Sequence, residues 1–258
     1  MRDEILKVGG VSKSFGGMTA VADCSLAMVE GEISGLIGPN GAGKSTLFEM
    51  ITGDLIPDSG SIHFLGKSIV GLPSFRIARM GLVRTFQIPR ALNKMTVLEN
   101  MMLATQNQEG EKIWNVFLRP RAVRREEERT RDRALALLEF FSLGTMADEY
   151  AGALSGGQKK LLAMARTLMA DPKMLLLDEP FAGVNPTLSK RLLGHIKELR
   201  EGGVTFLIIE HGIPYVKELC DTVFVMNKGE IMTSGTPEEV TSDERVLEAY
   251  LGGMDDAH

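Results

Sequence analysis

The segment Gly38-Pro39-Asn40-Gly41-Ala42-Gly43-Lys44-Ser45-Thr46 has the residue types and spacing of GxxxxGK[ST]. Glycines at these positions let the backbone wrap an oxyanion closely, with N–H groups pointing inward. Lys44 is placed to reach the β- and γ-phosphates of a nucleotide, and the Ser45 hydroxyl to ligate Mg²⁺. A second group ends the apolar run Met174-Leu175-Leu176-Leu177, which delivers Asp178 and Glu179. Asp178 fits the outer Mg²⁺ position. Glu179, one residue on, is placed to polarise a water for in-line attack on the γ-phosphate. A third group is Leu154-Ser155-Gly156-Gly157-Gln158. Ser155 is a natural N-cap, and the glycines expose N–H groups at a helix start, which is another anion site. Two sites for one γ-phosphate in one chain imply that each nucleotide is shared between two chains.

The elements needed to position these groups are legible. Apolar runs at Ile5 to Val8, Val21 to Leu26 and Ile33 to Ile37 read as strands separated by glycine-rich turns. The third leads into the phosphate loop, and Leu47, Phe48, Met50 and Ile51 continue it as a helix whose positive end faces the phosphates. Gly53 and Pro57 stop that helix. Residues from about 90 to 153 read as helical. Val97, Leu98, Met101 and Met102 share one face, and Ala134, Leu137, Leu138 and Phe141 share another. Their methionines read as packing residues. The charged run Arg119 to Arg133 reads as a solvated helix face with i,i+4 pairs, or as a contact for anionic headgroups or a membrane partner. From 155 onward helices alternate with strands at Met174 to Leu177, Val204 to Ile209 and Thr222 to Met226. That alternation predicts an α/β fold with a mainly parallel sheet covered on both faces. The tail Asp255-Asp256-Ala257-His258 reads as disordered.

Bulk properties exclude several classes. The 258 residues suffice for one substantial core. The formal net charge of −5 argues against a dedicated nucleic-acid binder. Met1-Arg2-Asp3-Glu4 opens no secretory signal, and no apolar run reaches bilayer-spanning length. Cys24 and Cys220 lack a CxxC pattern and read as small core residues. His63, His195 and His258 form no ligand cluster.

Phosphate loop, LSGGQ and apolar-Asp-Glu, in that order, resemble the ABC (ATP-binding cassette) ATPases. Taken singly, Gln87 would be a surface polar residue, His211 a packed or capping histidine, and Phe15 a core residue. Within the resemblance, Gln87 in Thr85-Phe86-Gln87 resembles the Q-loop glutamine, a Mg²⁺-proximal and catalytic position. His211 resembles the switch histidine, Ala182-Gly183-Val184-Asn185 the D-loop, and Phe15 the ring that stacks on adenine. The resemblance implies a P-loop NTPase cassette: a mainly parallel core, an antiparallel β subdomain and a helical subdomain. It divides one domain into a nucleotide-binding core at 1–88 and 154–235, a helical subdomain at 89–153 with the signature at its end, and a C-terminal helix and tail at 236–258. ATP and Mg²⁺ are the implied cofactors. Three positions depart from the commonest pattern: Phe15 where Tyr is frequent, Asn185 where Asp is, and Gly212 after the histidine where Asp is usual.

Arg79 to Gln87, Met95 to Asn100, Phe15-Gly16-Gly17 and Ala249-Tyr250-Leu251-Gly252 are similar to the branched-chain amino acid importer ATPases. The stretch from Thr105 to Arg133 resembles the insertion in the larger of that system's two ATPase subunits. This implies a second ATPase subunit, membrane permease subunits and, indirectly, a solute-binding protein as partners. The implied location is peripheral, on the cytoplasmic face of the cell membrane. Asp178 to Val184 also resembles the lipopolysaccharide-extraction ATPase, and a soluble non-transport ABC ATPase is the third reading.

Overall fold

The computed structural model describes residues 3–85, 91–105 and 120–252. Gln87, Trp114, Arg119 and the tail from 253 lie outside the described residues. The chain forms two compact units. One comprises Met1–Arg84, Lys173–Gly183 and Ser189–His258; the other comprises Thr85–Pro172 and Val184–Leu188.

The first unit holds two sheets. Strands β1 (Glu4–Phe15), β2 (Met18–Val29), β4 (Ser59–Phe64) and β5 (Lys67–Ser68) form an antiparallel sheet in the order β2-β1-β4-β5. The second sheet contains β3 (Ile33–Ile37), β6 (Leu82–Arg84), β7 (Met174–Asp178), β8 (Thr205–Ile209), β9 (Thr222–Asn227) and β10 (Glu230–Gly235). Its order is β10-β9-β3-β8-β7-β6. All neighbours are parallel except β10 and β9.

Every residue of β3, β7 and β8 is buried, which explains why these strands read as largely apolar runs. The pleat sends alternate side chains to opposite faces. Leu36, Phe224 and Met226 pack with Leu47, Phe48 and Ile51 of helix α1 (Lys44–Thr52) and with Val21, Met28 and Ile62 of the antiparallel sheet. Ile37, Val223 and Val225 pack on the other face with Val216 of α7 (Ile213–Leu219), Val240 of α8 (Pro237–Ser242) and Val246 of α9 (Glu244–Gly252). Burying Phe48 alone removes enough apolar surface from water to contribute about 2 kcal/mol. Helix α2 (Ser74–Arg79) precedes β6, and α6 (Pro186–Glu201) precedes β8. Strand β10 escapes a sequence reading because it is an edge strand, EIMTSG, with no fully buried residue.

The second unit is helical. Helices α3 (Val97–Met102), α4 (Pro120–Phe140) and α5 (Gly156–Leu168) pack together. From Pro120 onward the charged run and the amphipathic stretch after it form the single helix α4. Thr130, Ala134 and Leu138 are its buried stripe at four-residue spacing. Arg124 and Glu128 make an exposed i,i+4 pair at 3.3 Å. Arg133 donates to the Leu168 carbonyl oxygen at 2.8 Å, tying α4 to the end of α5. Helix α5 clusters with this unit, so the compact helical body extends past the signature to Pro172.

Asn100 organises the entry to α3. It is fully buried. Its Oδ1 accepts from Leu92 N–H at 2.9 Å, and its Nδ2 donates to the Leu92 and Thr96 carbonyls at 3.1 and 2.9 Å. Thr96 and Glu99 close a reciprocal capping box in front of it. Truncating Asn100 would leave buried backbone groups of the 92–96 loop without partners. We expect Asn100→Ala to lower unfolding free energy by about 2 kcal/mol. Urea denaturation measures this, and a loss under about 0.5 kcal/mol would contradict the assignment.

Candidate functional site

Three parallel strands, β3, β8 and β7, lie side by side, and their C-terminal ends carry the candidate chemistry onto one edge. Open α/β sheets bind ligands at this edge. β3 runs into the phosphate loop, β7 ends at Asp178 before Glu179, and β8 ends before Glu210 and His211. A cleft of about 340 Å³ is lined by Phe15, residues 40–46, Glu179, Ile209 and His211.

The loop's glycines answer to specific contacts. Gly38 has φ of 150°, and a Cβ there would strike the Met226 carbonyl oxygen on β9. Gly43 has φ of 101°, and a Cβ there would strike the Ala20 carbonyl oxygen. Neither position admits a side chain, so the loop can lie directly against both sheets. Gly43 is also the N-cap of α1 and provides no side-chain cap. The first-turn N–H groups are thus left for an anion. Lys44 folds back over the loop, where its Nζ donates to the Gly38 and Pro39 carbonyls at 2.8 and 2.9 Å. Burial pulls its ammonium below the ordinary lysine value, and Glu179 and Asp178 pull it back up. A cation held this way is preorganised for phosphate.

Glu179 is a non-glycine residue at φ 47°. That left-handed turn at the strand end costs on the order of 1 kcal/mol and redirects the carboxylate from the sheet to the cleft. Glu179 Oε1 lies 3.1 Å from His211 Nε2. Phe15, read singly as a core residue, is instead 50% exposed at the cleft, with Lys13 Nζ 5.9 Å from its ring centroid. The ring is thus available for stacking against a flat ligand.

One residue that sequence reasoning missed is Glu210. It is buried, and both of its oxygens accept backbone N–H groups. Oε1 accepts from Phe181 at 3.1 Å; Oε2 accepts from His211 at 2.8 Å and Gly212 at 3.2 Å. One carboxylate therefore locks the segments on which Glu179 and His211 stand. The available signal was a charged residue directly continuing the apolar strand FLII. Gly212, where Asp is usual, has a local cause: a Cβ there would come within 2.7 Å of the Tyr215 ring. That ring stacks on Phe181 with centroids 4.3 Å apart.

Asp178, at the end of β7, pairs with Arg84 Nη2 at 2.8 Å. Among the described residues, no group of three or more His, Cys, Asp or Glu could hold a metal ion. The hard oxygen donors that would hold the ion are the Ser45 hydroxyl beside the phosphate loop and the Asp178 carboxylate at the end of β7. That set suits Mg²⁺, which takes few protein ligands and completes its shell with phosphate oxygens and water. Gln87, the third proposed metal neighbour, lies outside the described residues.

The signature stands in the second unit. Ser155 is the N-cap of α5 and closes a capping box: its Oγ accepts from Gln158 N–H at 3.3 Å, and Gln158 Oε1 accepts from Ser155 N–H at 2.8 Å. The box leaves the N–H groups of Gly156 and Gly157 unused. Gly156 faces open space, whereas a Cβ on Gly157 would strike the Leu188 side chain. Leu188 is itself held by the D-loop, because Asn185 Oδ1 accepts its N–H at 2.9 Å. Asn185 caps α6 as an Asp would, and Pro186 follows at the first helical position.

Comparison with known proteins agrees with this geometry. The family model described as ABC transporter matches residues 21–182. A second model, described as branched-chain amino acid ATP-binding cassette transporter, matches residues 230–256. The chain is 42% identical to the probable branched-chain amino acid transport ATP-binding protein LivG of Archaeoglobus fulgidus, over 98% of this chain and 97% of that protein. It is 40% identical to the high-affinity branched-chain amino acid transport ATP-binding protein LivG of Escherichia coli K12, over 98% and 99%. Among solved structures, a nucleotide-free ATP-binding cassette from an ABC transporter superposes with a TM-score of 0.82 at 40% identity, covering 96% of this chain and 98% of that one. The ADP conformation of an ABC transporter cassette gives a TM-score of 0.83 at 39% identity, covering 97% and 99%. The chain belongs to the ABC transporter family, as one of its ATP-binding cassettes.

Proposed function

We propose that this chain is the ATP-hydrolysing subunit of an importer for branched-chain amino acids or a related small polar solute. The observation that carries hydrolysis is the Glu179–His211 pair, 3.1 Å apart, facing the cleft that the phosphate loop lines. The cargo class is supported by relatives about 40% identical over nearly their whole length and by the C-terminal match at 230–256.

The adenine of ATP would stack on Phe15. Its phosphates would accept N–H groups of residues 40–46 and the free donor of Lys44. Ser45 and Asp178, with Gln87, would hold Mg²⁺, which supplies charge neutralisation across the phosphate oxygens when bound. Glu179 accepts a proton from the attacking water, and His211 holds the carboxylate in its working rotamer and steadies the γ-phosphate. Glu210 acts one step back as a positioning residue for both.

Two chains would meet head to tail, with Ser155, Gly156, Gly157 and Gln158 of one closing over the nucleotide of the other. ATP favours the closed dimer because it touches both chains only there. The uncommitted N–H groups of Gly156 and Gly157 support this reading. Permease subunits would receive the motion. No helix among the described residues is long and apolar enough to cross a membrane, which is consistent with a peripheral subunit on the cytoplasmic face.

Glu179→Gln is expected to slow turnover on the order of 10²-fold or more while sparing ATP binding. Near-normal ATPase activity in that variant would overturn the assigned role. Lys44→Ala should abolish tight nucleotide binding, read by titration with a fluorescent ATP analogue. Glu210→Gln removes one acceptor from the lock and should lower kcat about tenfold with ATP affinity nearly unchanged. An unaltered kcat would reduce Glu210 to a packing residue. Purification of the tagged chain from gently solubilised membranes should recover multi-spanning permease subunits and a second cassette; lipid-export components would redirect the cargo assignment.

A further inference from the structure

Arg84 is a largely buried cation that the proposed reaction does not use. It is the last residue of β6, in parallel register with Leu176 on β7, two residues before Asp178. Its Nη2 lies 2.8 Å from Asp178 Oδ2, with the two side chains only 14% and 7% exposed. The guanidinium sits over the Phe48 ring of α1 at 5.7 Å. Its Nε is buried and has no hydrogen-bond partner among the described residues. Arg84 thus joins the strand that leads toward Gln87, the helix that follows the phosphate loop, and the acidic end of β7.

We propose that Arg84 is a positioning residue that sets metal loading by competing with the divalent cation for Asp178. The inference rests on the metal role proposed above for Asp178. A carboxylate out of water cannot stay unpaired without a large penalty, so a site built to receive Mg²⁺ needs a substitute cation when the metal is away. Arg84 is that substitute. The same guanidinium lowers the negative potential that Asp178 offers to a dication, and this effect is strong because both groups are shielded from solvent. Free Mg²⁺ is therefore held weakly. The ion enters with the phosphates of ATP, and in that complex Arg84 still withholds part of what Asp178 could add to its binding. Arginine suits this task better than lysine: its planar fork can rest on Phe48 while one nitrogen holds the carboxylate.

The test measures binding, not turnover. Affinity for a fluorescent ATP analogue is titrated in the Glu179→Gln background, once with EDTA and once with saturating Mg²⁺. The ratio of the dissociation constant in EDTA to that in Mg²⁺ is the gain that the metal brings to nucleotide binding. Arg84→Met should raise that ratio about tenfold, because Asp178 is freed for the metal. Arg84→Gln, which keeps hydrogen-bonding capacity in case the Met variant does not fold, should move it the same way. Arg84→Lys, which keeps the charge, should leave the ratio near that of the parent. An unchanged or lowered ratio in the neutral variants overturns the competition. Asp178→Asn separates the two claims. If it lowers the ratio while the Arg84 variants do nothing, only the competition fails; if Asp178→Asn also leaves the ratio intact, the metal role of Asp178 fails and the inference with it.

Discussion

Parallel pairing of β3 with β8 and of β8 with β7 is the constraint on which the site depends. It puts three strand ends on one edge within a few ångströms of register: Leu36 pairs with Ile209, and Asp178 with Ile209. The phosphate loop, the Glu179 carboxylate and the His211 imidazole come from segments far apart in the chain. Only this pairing brings them together. The strands are buried on both faces, so their register is fixed by packing against α1 on one side and α7, α8 and α9 on the other. A slip of one residue would invert every side chain and dissolve the cleft.

On that frame, the molecule manages buried charge with few and specific partners. Lys44 is satisfied by two carbonyls of its own loop. Asp178 is satisfied by Arg84. Glu210 is satisfied by three backbone N–H groups, which makes a charged side chain serve as a structural clamp. Each arrangement satisfies a charged group at its buried position, and for Lys44 and Asp178 it does so at the edge where phosphate and metal are proposed to bind. Glu179 differs. Its unusual backbone conformation and moderate exposure leave its carboxylate at the cleft with His211. Removing solvent by closing a second chain over the site would strengthen every one of these interactions.

The phosphate loop, the acidic strand end and the serine-capped signature were legible because each is a local pattern whose residues are close in sequence. The all-buried strands were legible for the same reason, as largely apolar runs. Glu210 and Arg84 were not, because their roles exist only across strand pairings: Glu210 reaches Phe181, 29 residues away, and Arg84 reaches Asp178, 94 residues away. Phe15 lost its default core reading because β1 and β2 carry it past the sheet to the cleft. The turn at Gly212 and the open signature glycine Gly156 likewise depend on what lies nearby in space, which composition does not reveal. Residue 185 shows the reverse. Asn in place of Asp looked like a departure, yet the N-cap bond to Leu188 needs only a side-chain oxygen.

The central claim is that Glu179 and His211 act as one unit on the γ-phosphate. The most direct measurement is a double-mutant cycle on single-turnover ATP hydrolysis, with Glu179→Gln, His211→Ala and the combined variant. Residues acting as a unit give non-additive losses, so the double variant should be no slower than the slower single variant. If the two losses multiply, the pair works independently and the 3.1 Å contact is incidental to catalysis.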